Sequence, residues 1–215
     1  MEKKPSTATR IVRRSGNEAP RSLEADICVV GAGISGVSAA LEAAKLGRKV
    51  VLVDGQPVLG GQAVNSIIAT FCGLFSNGTH GYQFTYGVAD DLLAYLEKAD
   101  QAIHYRHGPN TTVVYYDEVA LGRWVEKSIR EAGITVVLGA QLTNAEMRDG
   151  RLQRIELMTR YGSVIVDAEG FVDASGDAAL VWQAGLDCRV PETAGVFGTQ
   201  MVVLENIVEA SQPTK

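Results

Sequence analysis

Three glycines, Gly31, Gly33 and Gly36, stand in the spacing Gly-x-Gly-x-x-Gly directly after the apolar run Ala25–Val30. This spacing lets a backbone come close to a pyrophosphate. The first glycine permits a tight turn, and the second removes a side chain that would collide with the ligand. The third lets the following helix pack against the sheet. Ile34 and Ser35 fill the gap between the second and third glycines, where the N–H groups of a helix start can meet a diphosphate. Asp54 closes the next apolar run, Lys49–Asp54. A carboxylate there can accept hydrogen bonds from ribose hydroxyls, and it repels the 2′-phosphate of NADP. FAD and NAD both remain, because the motif does not choose between them.

Two further segments have the composition of ligand loops. Gly60 and Gly61, followed by Gln62, let backbone run close to a ribose or a flavin, or form a plain surface turn. In residues 171–185 a β-prone run enters the turn Ala174, Ser175, Gly176, with Asp173 and Asp177 bracketing Gly176. That turn can set backbone amides beside a diphosphate or ribitol. It can equally be a strand-to-helix turn that touches no ligand.

These residues need a frame to hold them. Order is expected from Ala25, with a strand over Ala25–Val30, a helix over Ile34–Leu46 ended by Gly47, and a second strand over Lys49–Asp54. Strand, glycine turn, helix and strand in that sequence open a parallel βαβ sheet. The stretch 62–87 is irregular, with glycines at 73, 78, 81 and 87. Leu92, Leu93, Leu96 and Ala99 predict an amphipathic helix over 88–104. Thr111–Tyr116 is β-prone, and Asp117 can cap a helix over 118–132 that puts Leu121, Trp124, Val125 and Ile129 on one face. Ile134–Leu138 reads as a buried strand. Residues 140–167, with turns at Asp149–Gly150 and near Gly162, read as a small antiparallel unit appended to the parallel sheet. Gly170–Asp173 reads as a separate short strand, and Asp177–Ala184 as the start of a helix. The fold class is α/β, a Rossmann-like parallel sheet with a small antiparallel β insertion.

With 215 residues the chain fits one domain, or one with a small insertion. Its net charge of -5 is uneven: residues 1–24 carry six Lys or Arg against three acids, which leaves the remainder near -8. A basic arm can touch nucleic acid or a membrane surface, but it reads first as a solvated tail or an arm laid on a partner subunit. The acidic body has no broad basic patch with interleaved aromatics, so nucleic acid is not an expected partner. No apolar run is long enough to cross a bilayer, and the polar start does not read as a secretory signal. Cys28, Cys72 and Cys188 lie far apart without metal-ligand spacing, which points to a reducing, cytoplasmic setting.

The chain resembles the FAD-dependent oxidoreductases of glutathione-reductase-like fold. Within them it resembles most the branch with a VDATGDA signature, related to the fumarate reductase and succinate dehydrogenase flavoproteins. The likeness is collinear from Asp26 to Leu186. It rests on VVGAGISGVSAALEAAKLGRKVVLVD at 29–54, LGGQA at 59–63, YYDEVALGRWVEKSIREAGITVVLGA at 115–140 and GFVDASGDAAL at 170–180. The resemblance implies FAD on the first glycine motif, with Asp54 on the adenosine ribose. It also implies that the strand Thr135–Leu138, including Val137, passes the adenine and that the last motif lies against the cofactor. Ser175 stands where threonine is more usual and keeps the hydroxyl. Family members are commonly longer. Their second half adds the rest of the substrate domain and a late glycine-containing segment that closes over the flavin, and this sequence has no match for that segment.

The expected organisation is a flexible basic arm at 1–24, an FAD-binding domain at 25–190 and a tail at 191–215 packing on a partner. A cap-like, ring-facing segment at 62–110 interrupts the domain. The flavin itself takes the electrons, so the chain's task is to position donor and ring. Cys72 and His80 are the most reactive residue types in the ring-facing stretch, and Asn65, Ser66 and Thr70 can hydrogen-bond there. Cys72 reads first as a small buried hydrophobe, and otherwise as a redox thiol or covalent flavin tether. Without a neighbouring cysteine a disulfide-reductase mechanism has no support. His80 reads as a structural or exposed histidine, or as a base. His104 and His107 read as peripheral residues at a helix end, Cys28 as core, and Cys188 has no evident chemical partner. The functional expectation is an FAD-binding subunit of a multi-subunit dehydrogenase or oxidase, acting with a second chain on a small amine, amino acid or hydroxy acid. A separately encoded partner is the first reading, a cleaved or split flavoprotein the second and a nonfunctional fragment the third. The other function classes are a noncatalytic nucleotide-binding subunit and an NAD-binding enzyme domain.

Overall fold

The structure, a computed structural model, describes residues 19–78, 81–99, 102–108 and 110–189. His80, the tail from 190 onward and most of the basic arm lie outside the described residues. The elements run β1 (Arg21–Val30), α1 (Ile34–Lys45), β2 (Val50–Asp54), α2 (Gln62–Asn65), β3 (Thr70–Cys72), α3 (Val88–Lys98) and β4 (Ile103–His107). They continue with β5 (Thr112–Tyr116), α4 (Glu118–Glu131), β6 (Thr135–Leu138), β7 (Gln141–Arg148), β8 (Arg151–Thr159), β9 (Gly162–Asp173) and α5 (Ala179–Gln183).

Six strands form one sheet in the order β6-β2-β1-β9-β8-β7. The first four are mutually parallel, and β9-β8-β7 is an antiparallel meander joined to them through β9. A second, three-stranded antiparallel sheet has the order β3-β5-β4. The fold is therefore a mixed, Rossmann-like α/β sheet with a small antiparallel insertion, as the alternation of strand, glycine turn and helix implies.

The parallel strands are buried on both faces, which is why VVLVD shows no polar alternation. One face, with Val29, Val50 and Leu52, packs under α1, α3 and α4. The other, with Cys28, Val30, Val51 and Val53, packs on Ile155, Leu157 and Val166 of the meander. On α4 the expected face is buried, with Leu121, Trp124, Val125 and Ile129 at 4 % exposure or less. Each such side chain contributes roughly 1.5–3 kcal/mol. Asp117 caps that helix by accepting from the Ala120 N–H at 2.7 Å.

Four readings are corrected. β1 starts at Arg21, earlier than Ala25; of its opening residues only Leu23 is apolar, too little for a strand signal, and pairing with Val164–Asp167 of β9 extends the strand there. The helix expected over 88–104 stops at Lys98, Ala99 turns extended, and Ile103 begins β4 against Tyr116. His104 and His107 therefore lie on a strand and not at a helix end. Gly170 does not break a strand: β9 runs unbroken from Gly162 to Asp173. A Cβ at Gly170 would sit 3.1 Å from the Ile27 Cδ1, so the glycine makes room for packing from β1.

Candidate functional site

The parallel strands end together at Val30, Asp54, Leu138 and Asp173. From β1 the chain passes to β2 and then β6 on one side, while β9 lies on the other. Ligands of such sheets bind outside the strand ends, where the strand order switches direction. Here that point is the crevice between the turns leaving β1 and β9.

The turn after β1 is fixed from three sides. Gly31, at φ +103°, donates to the Val53 carbonyl at 2.8 Å. A Cβ on it would lie 2.2 Å from the Ala174 carbonyl oxygen. Ala32, fully buried, donates to the Asp54 Oδ2 at 2.5 Å, and its carbonyl accepts from Gly60 at 2.8 Å. Gly60 and Gly33 form a β-bridge, which lays the second glycine pair alongside the first motif. Gly33 is the N-cap of α1 and offers no side-chain cap, and the first helix bond runs from the Val37 N–H to the Gly33 carbonyl at 2.8 Å. The N–H groups of Ile34, Ser35 and Gly36 precede that bond, so the helix itself supplies them no acceptor. A Cβ at Gly33 would meet nothing within 4 Å. Among the described residues the chain leaves room where these backbone donors meet no acceptor, and an anionic diphosphate fits both features.

Asp54 does more here than sequence reading assigns it. Its Oδ1 accepts from the Gln56 N–H at 2.6 Å while Oδ2 holds Ala32. A carboxylate offers about four acceptor positions, so two remain for ribose hydroxyls. Along the flank of β6 lies a cleft of about 490 Å³, walled by Pro57, Val58 and Leu59, by Val136 and Leu138, and by Glu126, Ile129, Arg130, Gly133 and Ile134 of α4 and its turn into β6. Spacing alone does not mark these residues, because their part in the site depends on β6 lying next to β2. Val137 pairs with Val53 and packs on the meander side of the sheet, so only its backbone is at the strand edge.

The turn after β9 is organised by Asp173. Its carboxylate accepts from the Ser175 N–H at 3.0 Å, the Ser175 hydroxyl at 2.6 Å and the Val181 N–H at 3.0 Å. Burial pushes its pKa up, but the hydrogen bonds from Ser175, Val181 and Leu180 outweigh burial and hold the carboxyl below its usual range. A depressed pKa in the folded state gives stability that is present above the unfolded-state pKa and is lost as pH falls through the folded one. Asp173→Asn is expected to flatten the acid limb of the melting temperature, measured from about pH 6 down to about pH 2.5. An unchanged slope would mean that Asp173 is not the group responsible.

The Ser175 hydroxyl also accepts from the Ala179 N–H at 2.8 Å, so this side chain shapes the turn from within. Gly176 and Asp177 are exposed, and Gly176 has open space at its Cβ position. The structure therefore brings Gly31 to Gly36, Asp54, Gly60, Gly61 and the turn Ala174–Asp177 around one crevice. Gln62 opens α2 directly after the glycine pair and is exposed.

The small sheet is tied to this crevice through Tyr116. Its hydroxyl donates to the Ala63 carbonyl at 2.9 Å, and its ring stacks on Phe71 at 4.3 Å. Burial of Tyr116 pushes its phenol up to about 12, so it donates as a neutral group. Cys72, next along β3, is exposed on an edge strand of the small sheet, which corrects the reading of it as a small buried hydrophobe. Asn65 and Ser66 are also exposed, and Thr70 is half-buried. Cys28 is fully buried and its thiol is pushed up to about 12 by burial, as a core residue should be.

Comparison with known proteins agrees with this geometry. A family model described as FAD dependent oxidoreductase matches residues 26–214. Mitochondrial dihydrolipoyl dehydrogenase of Bos taurus is 24% identical over 201 residues, covering 87% of this chain and 38% of that protein. The chain thus spans 38% of the length of this curated relative. Among solved structures, THI4 of Thermovibrio ammonificans superposes with a TM-score of 0.52 at 20% identity, covering 76% of this chain and 64% of that one. A flavocytochrome c3 fumarate reductase in its open conformation gives 0.51 at 20%, covering 70% and 33%. The likeness to these structures is one of fold. The family match decides between the two cofactors that the glycine motif leaves open: this chain belongs to the FAD dependent oxidoreductase family, and its cofactor is FAD.

Proposed function

We propose that the chain is the FAD-binding subunit of a multi-subunit dehydrogenase or oxidase acting on a small organic donor, an amine, amino acid or hydroxy acid. The observation that carries this reading is the open space at Gly33, facing the free N–H groups of α1 at the strand-order switch. In it, Gly31, Gly33, Ile34, Ser35 and Gly36 hold the diphosphate, and Asp54 holds the adenosine ribose. The cleft between Pro57–Leu59 and the end of β6, with the Val137 backbone, takes the adenine. Gly60, Gly61, Gln62 and the turn Ala174, Ser175, Gly176, Asp177 line the ribitol and ring side. The sequence Val172–Ala178 supports placement in the branch with the VDATGDA signature.

When bound, the flavin supplies a ring that accepts a hydride or electrons from the donor carbon. The chain's own residues bind and orient. Tyr116, bonded to the Ala63 carbonyl of α2 and stacked on Phe71, ties the small sheet to the glycine pair, which supports the reading of 62–110 as a cap over the ring. Cys72, exposed on β3, is a weak candidate within this segment for contact with a donor or flavin. In this reading a second polypeptide completes the flavin and donor sites. Among the described residues no helix is long and apolar enough to cross a membrane. The three cysteines are free, which supports placement in the reducing cytoplasm.

Asp54→Ala is expected to lower FAD affinity about ten- to a hundredfold. It strands the buried Ala32 N–H, at a cost of about 1–3 kcal/mol, and removes the ribose acceptor. Asp54→Asn, which keeps one acceptor oxygen, should lose less. Titration of flavin fluorescence reads both, and unchanged affinity in Asp54→Ala would remove Asp54 from the site.

The whole reading is tested by adding FAD to the purified chain, removing the excess and recording the visible spectrum. About one equivalent of retained flavin means that the chain holds the cofactor by itself and the partner is needed mainly at the ring. No retained flavin from the chain alone, with flavin present in the complex from its native host, means that the site is completed across the subunit boundary. No flavin in either sinks the proposal.

A further inference from the structure

Among the described residues, four other than glycine have positive φ: Ile67 at +53°, Ala69 at +49°, Asp149 at +52° and Ala178 at +59°. Asp149 stands in the turn between β7 and β8, beside Gly150, and aspartate tolerates this region because its side chain can hydrogen-bond locally. The other three have no such group, and all three belong to segments that flank the crevice. Ala178 lies in the turn after β9, just before α5. Ile67 and Ala69 lie between α2 and β3, on the chain that leaves the glycine pair. Ile67 is the extreme case. A β-branched residue is a genuine outlier at positive φ, where its Cβ crowds the following carbonyl oxygen.

Strain of this kind persists only where the surroundings over-determine it. Tyr116 does so from both ends. Its hydroxyl donates to the Ala63 carbonyl at 2.9 Å, ahead of the strained residues, and its N–H donates to the Ala69 carbonyl at 3.0 Å, at their end. Its ring stacks on Phe71 at 4.3 Å, just beyond them. Nothing in the chain's own packing gains from the arrangement. Ile67 is 53 % exposed and packs on neither core cluster. A single exposed isoleucine is ordinary, and so is aspartate at positive φ in a hairpin turn. An exposed isoleucine in a strained backbone has neither burial nor a relaxed conformation in its favour, and glycine would serve the fold better there. What compensates it lies outside the chain.

We propose that Ile67 is a ring-positioning residue: the strained span presents its side chain as an apolar wall against the isoalloxazine of FAD, and Tyr116 sets that wall in place before the cofactor arrives. The inference rests on the reading that the diphosphate of FAD lies at Gly33. A Cβ at Gly61 would sit 2.7 Å from the Gly33 Cα, so α2 starts at the diphosphate. Its four residues advance the chain by about 6 Å, and Ile67 follows two residues later. With adenosine assigned to Asp54 and β6, the part of the ligand left for this span is the ring. The faces of an isoalloxazine are flat and apolar, the kind of surface that a branched aliphatic side chain removes from water.

The test compares FAD with ADP, which carries the adenosine and the diphosphate but no ring. Both affinities are measured on the full chain or, where the chain alone holds no flavin, on the flavin-depleted complex from its native host. Ile67→Gly is expected to raise the melting temperature without cofactor by roughly 2–4 °C, because glycine relieves the strain and no burial is lost. FAD affinity should nevertheless fall about tenfold, while ADP affinity stays within about twofold of the parent. Tyr116→Phe keeps the ring stack and the N–H but releases Ala63, and should lower FAD affinity about threefold, again sparing ADP. Equal losses of FAD and ADP affinity in Ile67→Gly would make Ile67 a structural residue and overturn the proposal. Unchanged FAD affinity would overturn it too, and an unchanged or lower melting temperature would remove the strain on which it rests. In each of these cases a parent that binds both ligands leaves the proposed site standing. A parent that binds neither FAD nor ADP sinks the site itself, and this inference with it.

Discussion

Gly33→Val is expected to leave a folded chain that retains no FAD. The argument turns on what the glycine is for. Its backbone, at φ -67° and ψ 178°, is open to any residue, and a Cβ there meets nothing within 4 Å. The protein's own packing makes no demand for glycine at this position, so melting of the variant without cofactor should match the parent. On the proposed reading the demand comes from the ligand. Valine would put its methyl groups between the diphosphate and the N–H groups at the start of α1. Losing two charge-assisted hydrogen bonds costs about 3–6 kcal/mol, or at least a hundredfold in affinity. Desalting followed by a visible spectrum reads the flavin, and a thermal melt reads the fold. Full flavin in Gly33→Val would place the diphosphate elsewhere.

Gly36→Ala is expected to show the reverse order of damage, with the fold failing first. The added Cβ would sit 1.8 Å from the Gly31 carbonyl oxygen and 2.9 Å from the Gly31 carbonyl carbon. Both are backbone atoms of a turn that Val53 and Asp54 already hold, so there is no side chain to swing aside. α1 must back away from the sheet, giving up contacts of Val37, Ala40 and Leu41 with the core. Overpacking of this kind costs about 3 kcal/mol, which for a chain of this size lowers the melting temperature by roughly 6–12 °C. A shift below about 2 °C would mean that α1 is not packed as closely as described. The two glycines are three positions apart at the start of α1, yet one is expected to serve the ligand and the other the scaffold. Melting and flavin retention measured on both variants separate the roles.

That distinction was legible in the sequence because each step of the motif has its own steric reason. The strand, turn and helix order around it fixed the parallel sheet, and Asp117 with the Leu121–Ile129 face located α4. What escaped reading were features made by distant pairing. The mostly polar start of β1 is ordered by β9, and the single apolar Leu23 in Arg21–Glu24 does not announce a strand. Gly170 reads as a break until Ile27 is placed over it. The apolar period of α3 continues through Ala99 into Ala102 and Ile103, so its end could be found only from the pairing of β4 with β5. In the site, the roles of Asp54 toward Ala32 and of Asp173 toward Ser175 are hydrogen-bond assignments, and spacing shows the carboxylate without its donors.

The pairing of β1 with β9 also sets a timetable for synthesis. Val30 lies opposite Asp173, so the strand that opens the cradle waits for one made far later by the ribosome. Until β9 emerges, β1 and β2 can associate but β1 keeps a bare flank, a contact of high sequence separation being slow to close and exposed to aggregation while open. Nascent chains that end before Asp173 possess the whole glycine motif and only half of the crevice. Cofactor capture is thereby deferred to a late stage of chain growth, after the meander has been laid down.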